Sequence, residues 1–118
     1  MNFINLIITM ELIIKGDPNL NETFCKKLFN EIIPKTRYKD TKFSIVKSPW
    51  YINSPWIIYY QVDENRLIEI SGHYTKKACV EFLNSPKCVD NIINECNSQI
   101  KYHQDNINIC KLLLDNLK

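Results

Sequence analysis

The sequence predicts an α+β fold: a single domain over residues 1–118, with a mostly antiparallel sheet of about four strands and helices packed on one face. Three observations carry that prediction. Apolar residues alternate with a period of two near the N-terminus, and short apolar runs around a turn in the middle of the chain read as strands. Between and after those stretches they recur every three to four residues. The resulting order, β-α-β-β-β-α-α-α, gathers strands and helices into runs rather than alternating them. At 118 residues, with 45% hydrophobic and 24% charged side chains, the chain has the size and composition to bury one core without cross-links.

From Phe3 to Ile14 every even position (Ile4, Leu6, Ile8, Met10, Leu12, Ile14) is apolar and the odd ones are mixed, the pattern of a strand with one face on a core. Lys15-Gly16-Asp17-Pro18 ends it. Asn19 and Glu22 then stand three apart as in a capping box, and Leu20, Phe24, Leu28 and Ile32 recur every fourth residue. This predicts a helix that Pro34 ends, because a proline disfavours the α region for the residue before it. "KFSIVK" (42–47) predicts a short strand, and "WIIYYQV" and "RLIEIS" flank Asp63-Glu64-Asn65 as a hairpin. The first hairpin strand is apolar on both faces, which places it at the centre of the sheet or under cover on both sides. The rest is helical. Ala78, Cys79, Phe82 and Leu83 share one face. Ser85-Pro86 reads as a cap with a first-turn proline, ahead of a stripe of Cys88, Val89, Ile92, Ile93, Cys96 and Ile100. Asp105 caps a last helix with Ile107, Cys110, Leu113, Leu114 and Leu117.

Several function classes receive no support. The net charge of +2 makes no general case for nucleic acid or a membrane surface. Five cysteines form no even framework, which argues against a secreted disulfide scaffold. The apolar N-terminus lacks a basic leader region and a small-residue cleavage site, and it is too short to span a bilayer. A cytoplasmic setting is the expectation. Two glycines cannot build a phosphate-binding loop or a dinucleotide fingerprint, and no nucleophile elbow is present. No cofactor or metal is expected: Cys96, His103 and Cys110 are spaced by seven, whereas ligands on one helix usually converge at spacings of three or four. The sharpest catalytic option pairs Cys79, near a helix N-terminus, with His73 as base. Its place on an apolar stripe favours a core thiol, so the chain is not expected to be an enzyme.

Two stretches invite a partner. In "SPWYINSPWIIYYQV" (48–62) the tripeptide Ser-Pro-Trp occurs twice. Trp50 and Tyr51 lie between two prolines, where the chain cannot easily join a sheet, and a surface loop would carry them outward as preorganised aromatic anchors. Trp56, at the start of the strand, reads instead as core. Residues 26–47 hold seven cations against Glu31 and Asp40. Within them Lys35, Arg37, Lys39, Lys42 and Lys47, with Tyr38, could meet an acidic protein or phosphates. Lys76 and Lys77 stand in a helix first turn, where the macrodipole disfavours cations, so they are either solvated or hold an anion. Asp63, Glu64 and Glu69 form a small acidic counterpart around the hairpin tip.

The expected function is therefore a small protein-binding module, an inhibitor or immunity-type protein that neutralises a toxin or enzyme by steric occlusion. Trp50 and Tyr51 would be its anchors, and the basic side chains would set orientation and on-rate. RNA or single-stranded DNA binding through residues 35–47 is the alternative, and a cysteine-dependent enzyme the remote one. Self-association through the N-terminal edge strand is a further option.

Overall fold

The computed structural model describes residues 7–17, 21–48, 52–102 and 106–117. Strand β1 (Ile7–Ile14) leads into a helix, α1, over residues 22–35. Three strands follow, β2 (Phe43–Lys47), β3 (Trp56–Asp63) and β4 (Arg66–His73), then α2 (Lys76–Asn84), α3 (Cys88–Tyr102) and α4 (Ile107–Leu117). The sheet order is β1-β4-β3-β2 and every pairing is antiparallel. The α+β class, the four strands and the element order are as the sequence predicts. The positions Phe3–Leu6, the Asn19 cap, and His103 and Asp105 lie outside the described residues.

The helices divide between the two faces of the sheet rather than sharing one. Along β3, Ile58, Tyr60 and Val62 pack with Cys79, Ile92, Cys96, Cys110 and Leu113 of α2, α3 and α4. The intervening Ile57 and Tyr59 pack with Cys25, Leu28, Phe29 and Ile33 of α1. The neighbouring β4 splits in the same way, Ile68 and Ile70 to one side and Leu67 to the other. A strand buried on both faces needs apolar residues at successive positions, and "WIIYY" supplies them. With β1 and β2 at opposite edges, α1 crosses the whole sheet and roofs the second face.

Local details depart from the simplest sequence rules. Asn21 caps α1, its side-chain oxygen accepting from the Phe24 N–H at 3.0 Å. Replacing it with alanine should cost about 0.5–2 kcal/mol, read as a lower urea midpoint; an unchanged midpoint would show the cap to be energetically idle. The helix does not stop before Pro34. Ile33 stays helical at φ −58°, ψ −46°, and the coil widens into a π turn over Leu28–Ile32, with the Ile33 N–H reaching the Leu28 carbonyl. In a regular helix the proline ring would strike the carbonyl four residues back, and a π turn just ahead of it is one way to relieve that clash. The Thr36 N–H on the Ile33 carbonyl (3.2 Å) and its hydroxyl on the Ile32 carbonyl (2.7 Å) then close the end.

In β1 a register shift between Ile8 and Glu11 breaks the strict alternation, and Ile14, assigned to the apolar face, is 42% exposed. Val89 also leaves its stripe for solvent. At the hairpin tip Asp63 is held by the Arg66 guanidinium, at 2.7 Å from Nε and 2.6 Å from the nearer terminal nitrogen, which lowers the carboxyl pKa. Glu69 does not belong to that tip: it is buried within β4. All five cysteines are buried and none is in a disulfide.

Candidate functional site

The basic segment after α1 folds back along the outer edge of β2. Arg37 bridges to Ser44, the Tyr38 N–H donates to the Phe43 carbonyl (2.8 Å), and the Ile45 N–H donates to the Thr36 carbonyl (3.1 Å). The reversal takes place over residues 39–42. Lys39 there adopts a left-handed φ of 52°, uncommon for a side chain that is not glycine. Thr41 pins the turn, its hydroxyl on the Tyr38 carbonyl at 2.5 Å and its own oxygen accepting from the Phe43 N–H at 3.2 Å. Two longer ties fix the turn to the domain: the Arg37 guanidinium donates to the Gln61 side-chain carbonyl of β3, and the Tyr38 hydroxyl donates to the Asn84 side-chain carbonyl of α2.

Between this turn and α2 lies a groove of about 320 Å³. Lys35, Thr36, Arg37, Tyr38 and Lys39 form one wall, Lys76 and Val80 of α2 form the other, and Ile45 of β2 adds an apolar patch. Its lining carries four cations and no carboxylate, and none of the four takes part in an ion pair among the described residues. All four are exposed. Lys76 opens α2, whose N-terminus is capped by the Thr75 hydroxyl accepting from the Ala78 N–H at 3.0 Å. A cation there adds to the positive end of the helix instead of relieving it. The groove is thus a concave, positively charged surface with a small apolar floor, suited to an anionic group.

Of the residues singled out from the sequence, Lys35, Arg37, Tyr38 and Lys39 come together in this groove. Tyr38 is half-buried with its hydroxyl on Asn84, and Lys39 Nζ stands 5.2 Å from its ring centroid, so the ring acts as a strut beneath the cation. Lys42 is exposed on the far limb of the turn, and Lys47 ends β2 with Nζ 5.8 Å from the Trp56 ring centroid. Trp56 is half-buried against the α2 side of the core, in keeping with its core assignment. Trp50 and Tyr51 lie outside the described residues. Sequence reasoning did not join Lys76 to the basic segment. Its only signal was a lysine pair placed against the helix dipole.

The proposed thiol–imidazole pair has different partners. Cys79 is fully buried and donates to the Trp56 carbonyl at 3.7 Å, and burial pushes its pKa up to about 11. His73 sits with Nε2 2.9 Å from the Ser71 hydroxyl oxygen and its ring 5.5 Å from that of Phe82, centroid to centroid. This arrangement supplies no thiolate at neutral pH. Cys96 meets Cys110 between α3 and α4, and burial first, then that neighbour, pushes its pKa up to about 12. Among the described residues no group of three or more His, Cys, Asp or Glu side chains is placed to hold a metal ion, and no helix is long and apolar enough to cross a membrane.

Burial lowers the pKa of His73, so the folded chain holds this imidazole neutral. The unfolded chain takes up the proton near pH 6.5, and the folded chain only at lower pH. The stability tied to neutral His73 is therefore complete above about pH 6.5 and is lost as pH falls below it. The urea midpoint should drop between pH 7.5 and 5, and less so in His73→Phe. A midpoint that rises on acidification contradicts the assignment.

No protein-family model, curated protein or solved structure matches the chain.

Proposed function

We propose that this chain is a protein-binding module that seats an acidic surface of its partner on the β2 edge and neutralises that partner by covering it, as an inhibitor or immunity protein does. The observation that carries the reading is the convergence of Lys76, from α2, on Lys35, Arg37 and Lys39 around one groove. Unpaired like charges gathered on a concave surface repel one another, so a partner of opposite charge gains both attraction and relief. Lys47, at the end of β2, extends the positive edge toward Ser48, whose N–H donates to the Pro55 carbonyl at 2.7 Å. Trp50 and Tyr51 enter the proposal from the sequence, as anchors beside a charged rim.

A protein partner is favoured over nucleic acid by the same geometry. The groove contains one arginine and three lysines, and its aromatic ring carries the Lys39 ammonium over one face and is tied at its hydroxyl to Asn84, unlike the open stacking platforms that single-stranded nucleic acid uses.

The test is capture from the native host with the wild-type chain and with Lys35→Glu/Lys39→Glu/Lys76→Glu, the retained proteins being identified by mass spectrometry. The proposal expects a protein with an acidic face held by the wild type and released by the variant. Identical capture by both, or capture that nuclease treatment abolishes, would falsify it.

A further inference from the structure

We propose that the groove receives a dianionic phosphoryl group, offered by the partner as a phosphorylated serine or threonine side chain. The inference rests on the reading of the groove as the docking site for an acidic partner, and it names the group that enters.

Charge is the first reason. Four cations line a groove of about 320 Å³, room enough for a phosphoryl group together with the side chain that carries it. A carboxylate brings one negative charge, whereas a phosphomonoester brings nearly two, with three acceptor oxygens. It can bridge cations on both walls at once, Lys35 and Lys39 on one side and Lys76 on the other. The second reason is the set of donors. Lysine ammonium groups rotate freely and bind phosphate as point charges, while Arg37, tied to Gln61, is held in place at the same wall. The third is the floor: Ile45 and Val80 give the methylene or methyl of a phosphoserine or phosphothreonine an apolar surface that a free ion would not use. The first turn of α2 strengthens the field without being the site itself, since its macrodipole points the same way as the side-chain charges.

The probes are inorganic phosphate, acetate and sodium chloride at matched ionic strength, added to the isotope-labelled full chain and followed by amide chemical shifts. Phosphate should produce saturable shifts confined to residues 35–39 and 76–80 that neither acetate nor chloride reproduces. Lys39→Glu/Lys76→Glu should weaken them by about tenfold or more, the loss of one or two charge-assisted contacts. O-phosphothreonine amide should then bind more tightly than inorganic phosphate, through the apolar floor. Acetate acting as well as phosphate, or phosphate shifts spread over all surface lysines, overturns the phosphoryl assignment. Tighter binding of adenosine monophosphate than of phosphothreonine amide overturns it too, in favour of a nucleotide. Phosphate failing while charge reversal still abolishes protein capture removes this inference alone. Phosphate binding in the groove while capture is indifferent to charge reversal keeps it and removes the docking role.

Discussion

Exchanging Lys39 and Lys76 together for glutamate should weaken partner capture by about ten- to a hundredfold, or ~1.4–2.7 kcal/mol. Exposed charge pairs are individually worth ~0.2–1 kcal/mol, and reversal replaces attraction with repulsion at both walls of the groove. The same change should leave the fold about as stable. Both side chains are exposed and in no ion pair among the described residues; losing the Lys39 contact with the Tyr38 ring costs about 0.5–1 kcal/mol, and a carboxylate at position 76, facing the positive end of α2, returns about 0.3–1 kcal/mol. Binding is thus expected to fall while stability holds, a signature that general damage cannot produce. Surface plasmon resonance with the captured partner reads the first and a thermal melt the second. Unaltered affinity, or a loss that follows the melt downward, counts against the groove as the docking site.

The second large effect concerns the sheet. Leu67 and Ile68 are adjacent in β4, both fully buried, and they point to opposite faces: Leu67 beneath α1, Ile68 beneath α2–α4. Truncation to alanine at either position should cost about 2–5 kcal/mol, transfer and cavity terms together. With helices on one face alone, only Ile68 would be sealed in a core and Leu67→Ala would be nearly silent. Urea unfolding of the two variants separates the arrangements. Comparable losses support two covered faces, and a loss below about 0.5 kcal/mol for Leu67→Ala, within the range of ordinary surface changes, argues against the α1 roof.

What the sequence could show follows the range of the interactions. Strand and helix periods are local, so β2, the β3–β4 hairpin and α2–α4 were readable from apolar spacing. The two-sided sheet was written in "WIIYY" as well, but assigning all helices to one face set that signal aside. Asn21 and Asn19 are both good caps two residues apart, and only the hydrogen bond to the Phe24 N–H decides between them. Pro34 is a case of a sound local rule overridden by its surroundings, because the π turn ahead of it and the burial of Ile33 under the sheet hold the chain helical. At the groove, the charges of Lys35, Arg37 and Lys39 were visible as a run. The fourth cation arrives from a helix about forty residues onward, through β3 and β4, a distance no local spacing encodes. The Tyr38–Asn84 tie that holds the turn against α2 is equally long-range.

Zero-length carbodiimide coupling of the chain to its captured partner, followed by peptide mapping, is the most direct measurement of the central claim. This chemistry joins an amine to a carboxylate, or to a phosphate, only when the two are already in contact. Seating on the β2 edge predicts that the linked peptides carry Lys35, Lys39 or Lys76, each joined to an acidic or phosphorylated side chain of the partner. Links confined to Lys15, Lys87 or Lys111, with the groove lysines unmodified in the complex, would contradict it.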